Sequence, residues 1–485
     1  MSGLFGVVSK AGENCSQSLF YGIDYHSHLG TEYGGVAVLG KDFQRQIHSI
    51  AQSQFKSKFF EDIRKMDGSC GIGVISDSDE QPIYLNSKLG PFCIVTAGLI
   101  ENKDKLKEFC FTKDVSFCEV SPGGVNVTEL IGKLISLGDH FIDGIEKMFD
   151  VIEGSCSFLL LTREGVYAVR DRNGYTPLVI GEKENQWAVA SESASLSNLG
   201  FEVKKSLEPG EIVLITPKGL VVRKPGLSKK QICSFLWIYT GFPASSYEGL
   251  NVEVVRERCG RAMAKKDKDI DSDLVCGVPD SGIAHAIGYA MESKKPYRRP
   301  LVKYTPGYGR SYTPPSQETR DLVATMKLVA VNDIIKGQRI VICEDSIVRG
   351  TQLKNYTVKK LWDAGAKEIH VRPACPPLMF PCKFCLSTRS IHELAARKAI
   401  KAIEGKDIED VSQYLDPTTK KHKEMVEWIA RDIEVTTLRF QGLEDMVKAI
   451  GLPREKLCLY CWTGRCPSQK EVVKRQKPKK KSGKK

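Results

Sequence analysis

Short apolar runs separated by turn residues fill roughly the first 230 residues of the chain. They include G-L-F-G-V-V-S, G-G-V-A-V-L-G, F-C-I-V-T-A-G and S-F-L-L-L-T. Runs of this length, bounded by glycine, proline or asparagine, are typical of strands. Helical patterns are fewer, and a clear one runs from Val127 to Leu137. This order of elements predicts an α+β domain built from stacked antiparallel sheets.

A different pattern follows a segment rich in proline, glycine and lysine, roughly Thr216 to Gln231, which we interpret as a surface connection. Twice, a buried strand runs into a polar turn and then a helix. The first case is L-V-C-G-V followed by P-D-S-G, and the second is R-I-V-I-C followed by E-D-S-I-V-R-G-T. The second helix continues to a stop signal at Gly365. Strand–turn–helix units of this kind predict an α/β domain with a parallel sheet.

Composition places the chain among globular proteins and divides its charge unevenly. It has 485 residues, 41% hydrophobic and 27% charged, enough for two large domains. The sequence shows neither an apolar run of membrane-spanning length nor a signal peptide, so a cytoplasmic location is expected. Eight of the positive charges behind the net +12 lie in the tail from Lys474 to Lys485. That tail is either a disordered, solvated segment or a contact for a polyanion.

The second strand–turn–helix carries the most informative chemistry. A helix N-terminus presents free backbone N–H groups, which suit a phosphate, and Ser346 and Thr351 add hydroxyl donors. Glu344 and Asp345 precede this loop and suit sugar hydroxyls or a divalent cation. The segment lacks the G-x-x-x-x-G-K-[ST] pattern of a P-loop. A phosphorylated sugar with a metal ion is therefore the predicted ligand, against the alternative of an ordinary strand-to-helix turn in a parallel sheet.

The segment E-D-S-I-V-R-G-T resembles the phosphoribosylpyrophosphate (PRPP) motif of type I phosphoribosyltransferases. The longer match, including V-P-D-S and V-R-D-R-N-G-Y-T-P-L, resembles the glutamine PRPP amidotransferase family. This resemblance implies a class II glutaminase-like domain of the N-terminal-nucleophile fold, an αββα sandwich, over residues 1–231. It implies a type I phosphoribosyltransferase domain with a cysteine-rich end over 232–466, followed by a basic disordered tail over 467–485.

The same resemblance assigns residues around PRPP. In the family, a mobile loop closes over PRPP. The resemblance assigns three residues of that loop to hold the pyrophosphate: Arg310, Arg320 and Lys327. Magnesium is expected at Ser311, Glu344 and Asp345. The expected substrate-binding residues lie in two loops and are Asp280, Ser281, Gly282, Glu344, Asp345, Ser346, Ile347, Val348, Arg349, Gly350 and Thr351.

The glutaminase site departs from the family at each position that carries chemistry. Ser2 stands where the family has its nucleophilic cysteine, and residues 71–79 lack the arginine that holds the glutamine carboxylate. Thr96-Ala97-Gly98-Leu99 replaces His-Asn-Gly-Asn, which supplies the oxyanion hole, and Val127 replaces an amine-binding aspartate. We therefore expect a lost glutaminase and an enzyme of purine biosynthesis that makes 5-phosphoribosylamine from PRPP and ammonia. The alternative is a PRPP- or nucleotide-binding regulatory paralogue.

Cysteine spacing adds a candidate metal site. C-x-x-C occurs at Cys382–Cys385 and at Cys458–Cys461, which on spacing alone indicates zinc. The resemblance implies instead a structural [4Fe–4S] cluster held by Cys233, Cys382, Cys458 and Cys461, with Cys385 and Cys466 as extras. Zinc and free thiols remain the alternatives. The family further implies purine nucleotides as inhibitors and a homo-oligomer, either a dimer or a tetramer.

Overall fold

The computed structural model describes residues 2–121, 124–304, 328–385 and 390–465, and the elements below lie within those ranges. In the first half of this described chain, two antiparallel sheets stack face to face. One sheet contains, in spatial order, Glu202–Ser206, Val179–Lys183, Gln186–Ala190, Gly3–Ser9, Cys70–Ser76, Tyr33–Leu39 and Phe43–Ser49. The other contains Gly219–Lys224, Ile212–Thr216, Gly165–Val169, Gly154–Thr162, Gly90–Ile100 and Ile83–Ser87.

Helices cover both outer faces of this sandwich, which explains why its central strands are apolar on both sides. Every residue of Gly154–Thr162 is buried, because one face meets the opposite sheet and the other meets helices. The helices against the first sheet are Ser16–Asp24, Phe55–Lys65 and Ser193–Asn198. Those near the second are Lys103–Phe111, Val127–Ser136 and Phe141–Val151, and a short hairpin pairs Val120–Ser121 with Gly124–Val125. The layers are α, β, β, α.

A parallel sheet forms the core of the second half. Among the described residues its strands are, in spatial order, Leu274–Gly277, Arg339–Glu344, Glu368–Pro373 and Thr437–Leu438. The helical segments are Leu236–Thr240, Val252–Lys265, Ile283–Ser293, Asn332–Ile335, Leu353–Val358, Lys359–Asp363, Ile391–Glu393, Ala395–Glu404, Ser412–Leu415, Lys420–Asp432, Leu443–Ile450, Arg454–Lys456 and Tyr460–Thr463. Short strand pairs join Ile232–Cys233 to Leu457–Cys458, Ser246–Tyr247 to Leu250–Asn251, and Leu301–Lys303 to Leu328–Ala330.

Buried polar residues join the two halves. Glu192, at the start of an N-terminal-half helix, accepts hydrogen bonds from the Tyr247 hydroxyl at 2.6 Å and the Phe242 amide at 3.1 Å. The Arg170 side chain is fully buried and pairs with Glu248 at 3.1 Å. A buried ion pair is costly to separate, because each charge would be left without its partner. These contacts hold the halves together through specific bonds as well as apolar packing.

The structure confirms the helix predicted from Val127, which ends at Ser136, and the stop at Gly365, where φ is +83°. The segment from Thr216 to Gln231, interpreted from the sequence as a surface connection, also contains a strand. Gly219–Lys224 forms a strand that pairs with Ile212–Thr216. The strand lies directly between P-K-G and K-P-G, and these turn residues mask the strand pattern. Within the described ranges, none of the helices is long and apolar enough to cross a membrane.

Candidate functional site

The predicted sugar-phosphate loop lies at the carboxyl end of a central parallel strand. Arg339–Glu344 pairs with Leu274–Gly277 on one side and with Glu368–Pro373 on the other. At its beginning, Arg339 is held by Asp273 through a 2.7 Å ion pair. Ligands in parallel α/β sheets bind outside the carboxyl ends of the strands. The loops that follow Gly277 and Glu344 therefore meet at the edge where a ligand is expected.

These two loops are bonded directly to each other. The Val278 amide donates to the Cys343 carbonyl at 3.0 Å, and the Gly282 amide donates to the Val278 carbonyl at 2.8 Å. A Cβ on Gly282 would lie 2.1 Å from the Cys343 carbonyl oxygen, so this close approach requires glycine. The Ser281 hydroxyl donates to Glu344 Oε1 at 2.5 Å. The predicted pyrophosphate loop and the acidic pair thus form one connected site.

Burial and mutual repulsion govern the charge of the acidic pair. The pKa of Glu344 is raised well above its usual range, first by burial and second by the adjacent Asp345 carboxylate. Burial also raises the pKa of Asp345, although hydrogen bonds from neighbouring side chains and the positive charge of Arg256 oppose it. Two close carboxyl groups in a poorly solvated site tend to retain a proton between them. A divalent cation would favour the fully ionised pair.

The rest of the loop is shaped for backbone recognition. Ser346 donates to Asp345 Oδ1 at 2.5 Å, and the Val348 carbonyl accepts the Ala395 amide at 2.7 Å. Gly350 has a φ of +79°, a conformation that glycine adopts without strain. Ile347 is buried, whereas Arg349 is exposed and pairs with Glu393. Thr351 is exposed at the start of the helical segment, as expected for a donor to an anion.

The other loop places Asp280 in an exposed position, where it pairs with Lys303 at 2.8 Å. The structure therefore brings Asp280, Ser281 and Gly282 beside the acidic pair. The predicted lid residues Arg310, Ser311, Arg320 and Lys327 lie outside the described residues, and their assignments stay predictions.

At the beginning of the chain, Ser2 is buried and precedes the first strand. Its neighbour Gly3 lies opposite Ile75 in the adjacent strand. Ile75 belongs to the segment that would hold the glutamine carboxylate, and it is fully buried in an apolar cluster. Residues 71–79 contain no arginine, lysine or histidine, so no cationic side chain of this segment can pair with a glutamine carboxylate.

In two further segments matched to that site, polar side chains form hydrogen bonds within the protein. Thr96 and Thr128 share a buried 2.7 Å hydrogen bond between their hydroxyl groups. Asn126 caps the helix that follows, accepting from the Glu129 amide, and Val127 is only partly buried. Gly98 lies close to the adjacent strand, and a Cβ there would lie 2.0 Å from the Ser155 carbonyl oxygen.

Sequence reasoning missed a group of polar residues near Ser2. His26 is fully buried against Gly3, and its Nδ1 donates to the Gly22 carbonyl at 2.8 Å. Burial lowers the pKa of His26 to about 4. His28 lies 3.1 Å from Glu192 through its Nε2 atom. His26 and His28 stand close together in the sequence, but their partner Glu192 lies far along the chain. The contact could therefore not be predicted from local pattern.

Cysteines from three parts of the chain lie close together in the second half, beside the short parallel strand pair Ile232–Cys233 and Leu457–Cys458. Cys233 and Cys458 are partners in a parallel strand pair, and Cys382, Cys385 and Cys461 are likewise buried. The Phe384 and Cys385 amides donate to Cys382 Sγ at 3.4 and 3.3 Å. Amide donors of this kind favour a thiolate, so Cys382 fits a metal-ligand role.

Cys385, which the sequence treated as an extra, belongs to the same group. A hydrogen bond with Cys233 and burial raise the pKa of the Cys385 thiol, while Cys382 acts in the same way on Cys461. Thr176 Oγ1 lies 3.6 Å from Cys385 Sγ. Across the described part of the chain, His, Cys, Asp and Glu side chains form no group of three or more arranged to hold a metal ion. The prediction of a [4Fe–4S] cluster therefore rests on the chemistry of the cysteine thiols and of the amides that donate to them.

Comparison with known proteins identifies the family. A family model described as a glutamine amidotransferase domain matches residues 69–198. An amidophosphoribosyltransferase from Methanocaldococcus jannaschii is 31% identical over 496 residues, covering 97% of this chain and 98% of the relative. The chain belongs to the amidophosphoribosyltransferase family. The Bacillus subtilis amidophosphoribosyltransferase is 30% identical over 484 residues, with 96% of this chain and 94% of the relative covered.

Solved structures confirm both the family and the fold class. The glutamine PRPP amidotransferase of B. subtilis, complexed with ADP and GMP, matches with a TM-score of 0.81 and 29% identity, covering 96% of this chain and 97% of that one. A structure described as the allosteric regulatory enzyme of purine biosynthesis also gives 0.81 at 28% identity, with 96% of each chain covered. The predicted sandwich and parallel-sheet phosphoribosyltransferase halves of this amidophosphoribosyltransferase-family chain are thereby confirmed. The domain boundaries and individual site residues stay predictions.

Proposed function

We propose that this chain is an amidophosphoribosyltransferase-like enzyme of purine biosynthesis that converts PRPP and ammonia to 5-phosphoribosylamine and pyrophosphate. The observation that carries the proposal is the bonded pair of loops at one edge of the parallel sheet. Ser281 and Gly282 lie on one loop, and Glu344 and Asp345 lie at the start of the other. A phosphate cradle beside two carboxyl groups suits a phosphorylated sugar that carries pyrophosphate.

In the proposed reaction, the nitrogen lone pair of ammonia forms a bond to C1 of PRPP as the C1–O bond to pyrophosphate breaks. Pyrophosphate leaves with the bonding electrons, and the new ammonium group gives its extra proton to solvent. The backbone amides of residues 346–351 would hold the 5-phosphate, and the acidic pair would hold the ribose hydroxyls. Arg310 and Lys327 are the proposed pyrophosphate clamps. Catalysis would come from positioning and charge neutralisation.

Magnesium is the proposed cofactor at this site, where it would neutralise the departing pyrophosphate. Glu344 and Asp345 supply the oxygen donors that magnesium prefers, with Ser311 as the third proposed ligand. The raised pKa values of the acidic pair support this role, because such a pair is stabilised in its ionised form by a cation.

Ammonia is proposed as the nitrogen source because the glutaminase half has lost its chemical groups. Ser2 is a weaker nucleophile than cysteine, residues 71–79 contain no arginine, and Val127 has no charge for an amine. Loss of a single oxyanion donor typically lowers the rate by about 10²–10³. The buried hydrogen bond between the Thr96 and Thr128 hydroxyl groups supports a structural role for this region.

The proposed test measures pyrophosphate release from magnesium–PRPP with ammonium, with glutamine, and with neither. We expect release with ammonium alone. The enzyme proposal fails if ammonium supports no release. The proposal of a lost glutaminase fails if glutamine supports release that Ser2→Ala abolishes.

A second candidate function is a PRPP- or nucleotide-binding regulatory paralogue. The accumulated changes at Ser2, residues 71–79 and Val127 favour it, since a binding protein has no need of a nitrogen donor. The B. subtilis relative was solved with ADP and GMP, so purine nucleotides are proposed ligands here. Binding of nucleotides or PRPP without pyrophosphate release under any condition would favour this candidate. A cytoplasmic homo-oligomer, dimer or tetramer, is proposed for either function.

A structural [4Fe–4S] cluster is proposed at Cys233, Cys382, Cys458 and Cys461, with zinc as the alternative. When bound, it would tie the C-terminal segment to the beginning of the second half. The two amide bonds to Cys382 Sγ support the proposal. The absorbance of thiolate-to-iron charge transfer, measured on anaerobically purified protein, would indicate iron. Elemental analysis of the same protein distinguishes iron, zinc and free thiols. Cys382→Ser should lose the metal, whereas Cys110→Ser, a buried cysteine in the other half, should retain it.

A further inference from the structure

Cys385 is a fifth cysteine beside the four proposed metal ligands, and it is bonded to two of them. The residue is buried, and a hydrogen bond joins its thiol to the thiol of Cys233. Its backbone amide donates to Cys382 Sγ at 3.3 Å. Cys385 therefore reaches one proposed ligand through its side chain and another through its backbone.

Two adjacent residues of the sandwich half hold Cys385 in this position. The ring of Tyr175 stacks on Phe384, with ring centroids 4.1 Å apart and an angle of 15° between the ring planes. The Tyr175 carbonyl also accepts the Cys233 amide at 3.3 Å. Thr176 is buried, and its Oγ1 atom lies 3.6 Å from Cys385 Sγ. The same short segment thus contacts both partners of the thiol–thiol hydrogen bond.

The chemistry of a metal site decides which of these groups donates. A cysteine that binds a metal ion does so as a thiolate, which has no hydrogen to donate. Cys233 is a proposed ligand, so it is the acceptor and the Cys385 thiol is the donor. Because the thiol hydrogen of Cys385 is used in this bond, the Thr176 hydroxyl is the donor to Cys385 Sγ. The hydrogen bonds then run in one direction, from Thr176 through Cys385 to Cys233.

We propose that Cys385 is a positioning residue of the metal site, whose thiol donates a hydrogen bond to the Cys233 thiolate without itself binding the metal. This inference rests on the metal site proposed above at Cys233, Cys382, Cys458 and Cys461. Hydrogen bonds from neighbouring groups orient a ligand and reduce the negative charge on its sulfur atom. The Cys385 thiol should therefore slow the loss of the metal. At an iron–sulfur centre it should also favour the reduced state, which carries more negative charge.

Substitutions at Cys385 and Thr176 separate a hydrogen-bond donor from a metal ligand. Cys385→Ala removes the side-chain donor and keeps the backbone amide, whereas Cys385→Ser replaces the thiol by a hydroxyl group that still donates. Thr176→Val removes the hydroxyl group that donates to Cys385. Cys110→Ala, at a buried cysteine of the sandwich half, is the matched control for the loss of a buried thiol. Cys382→Ser is the control for the loss of a proposed ligand.

The experiment measures metal content and the rate of metal loss to excess chelator, using the anaerobically purified full-length protein. We expect Cys385→Ala to retain the wild-type metal content and to lose its metal about tenfold faster, as is typical when a group bonded to a metal ligand is removed. Cys385→Ser should lie closer to wild type. Thr176→Val should accelerate the loss less than Cys385→Ala does, and combining the two should add nothing, because both act through the same bond.

The reduction potential gives a second readout if the metal is iron. At a fixed applied potential, Cys385→Ala should shift the ratio of reduced to oxidised centre about tenfold towards the oxidised form. For a one-electron couple this corresponds to about 59 mV in midpoint potential. A residue that only fills space would leave this potential unchanged, so the readout separates hydrogen bonding from packing.

The outcomes distinguish this inference from the proposed metal site. Wild-type protein that holds neither iron nor zinc after anaerobic purification refutes both. When wild-type protein holds metal, a loss from Cys385→Ser as complete as that from Cys382→Ser identifies Cys385 as a ligand and overturns the inference alone. The inference is also overturned if Cys385→Ala loses metal at the wild-type rate, or if Cys110→Ala accelerates the loss equally. For an iron centre, an unchanged midpoint potential in Cys385→Ala overturns it as well.

Discussion

Binding of magnesium–PRPP should expel a proton from the acidic pair. Burial and the neighbouring carboxylate raise the pKa of Glu344 well above its usual range, and burial raises that of Asp345. Arg256, itself buried, opposes this by favouring the ionised form of Asp345. The free site therefore keeps a proton, shared between the two carboxyl groups, to higher pH than two solvent-exposed carboxyl groups would.

The size of the effect follows from proton linkage. If binding of magnesium–PRPP releases about one proton, the apparent affinity should rise about tenfold for each unit of pH. This rise continues until both carboxyl groups are ionised in the free protein. Above that pH, the dependence should vanish. Titration calorimetry at several pH values, in buffers with different ionisation enthalpies, counts the protons released. Glu344→Gln serves as the control, because it leaves one carboxyl group and should release fewer protons.

The stability of the free protein tests the same raised pKa values, but it should fall as pH rises, whereas the affinity for PRPP should increase. A carboxyl group whose folded-state pKa is raised binds a proton more tightly in the folded state than in the unfolded state. Its contribution to stability is present at low pH and is lost as pH rises through the folded-state pKa. The Tm of the magnesium-free protein should therefore fall over that range. Heats of binding near neutral pH that are the same in all buffers would refute this account of the pair.

Two further substitutions test the packing around the site. Gly282→Ala should abolish PRPP binding or lower the Tm, since the added Cβ would meet the Cys343 carbonyl oxygen at 2.1 Å; unchanged Tm and binding would contradict the close approach. Asp267→Ala should lower the free energy of unfolding in urea by about 3–5 kcal/mol, because it leaves the buried Arg372 guanidinium without its ion partner. A loss below about 1 kcal/mol would show that solvent or other groups compensate that charge.

The placement of the sugar-phosphate loop in the second half could be predicted because the loop and its strand form one continuous segment. The strand, acidic pair and loop from Arg339 to Thr351 occupy adjacent positions, and strand–turn–helix order places them at one sheet edge. The contact of Ser281 with Glu344 could not be predicted in the same way. It joins residues far apart in the sequence and depends on the register of two strands.

Tertiary packing also decides the features that sequence reasoning missed. Glu192 meets Tyr247 and His28 from separate parts of the chain, so no local spacing reveals the group. Cys385 was set aside because it lies outside the expected ligand pattern, yet the turn after Cys382 brings it to Cys233. The strand Gly219–Lys224 was missed because turn residues flank it on both sides, in P-K-G and K-P-G.

The short parallel pair of Ile232–Cys233 with Leu457–Cys458 places the entry and exit of the second half side by side. The Ser234 hydroxyl strengthens this closure by donating to the Cys458 carbonyl at 2.9 Å. A domain whose ends meet tolerates circular permutation, because a short linker can join the old ends while new ends open in a surface loop. New ends between Gly405 and Ile408, after the helix Ala395–Glu404, would leave every strand of the parallel sheet intact.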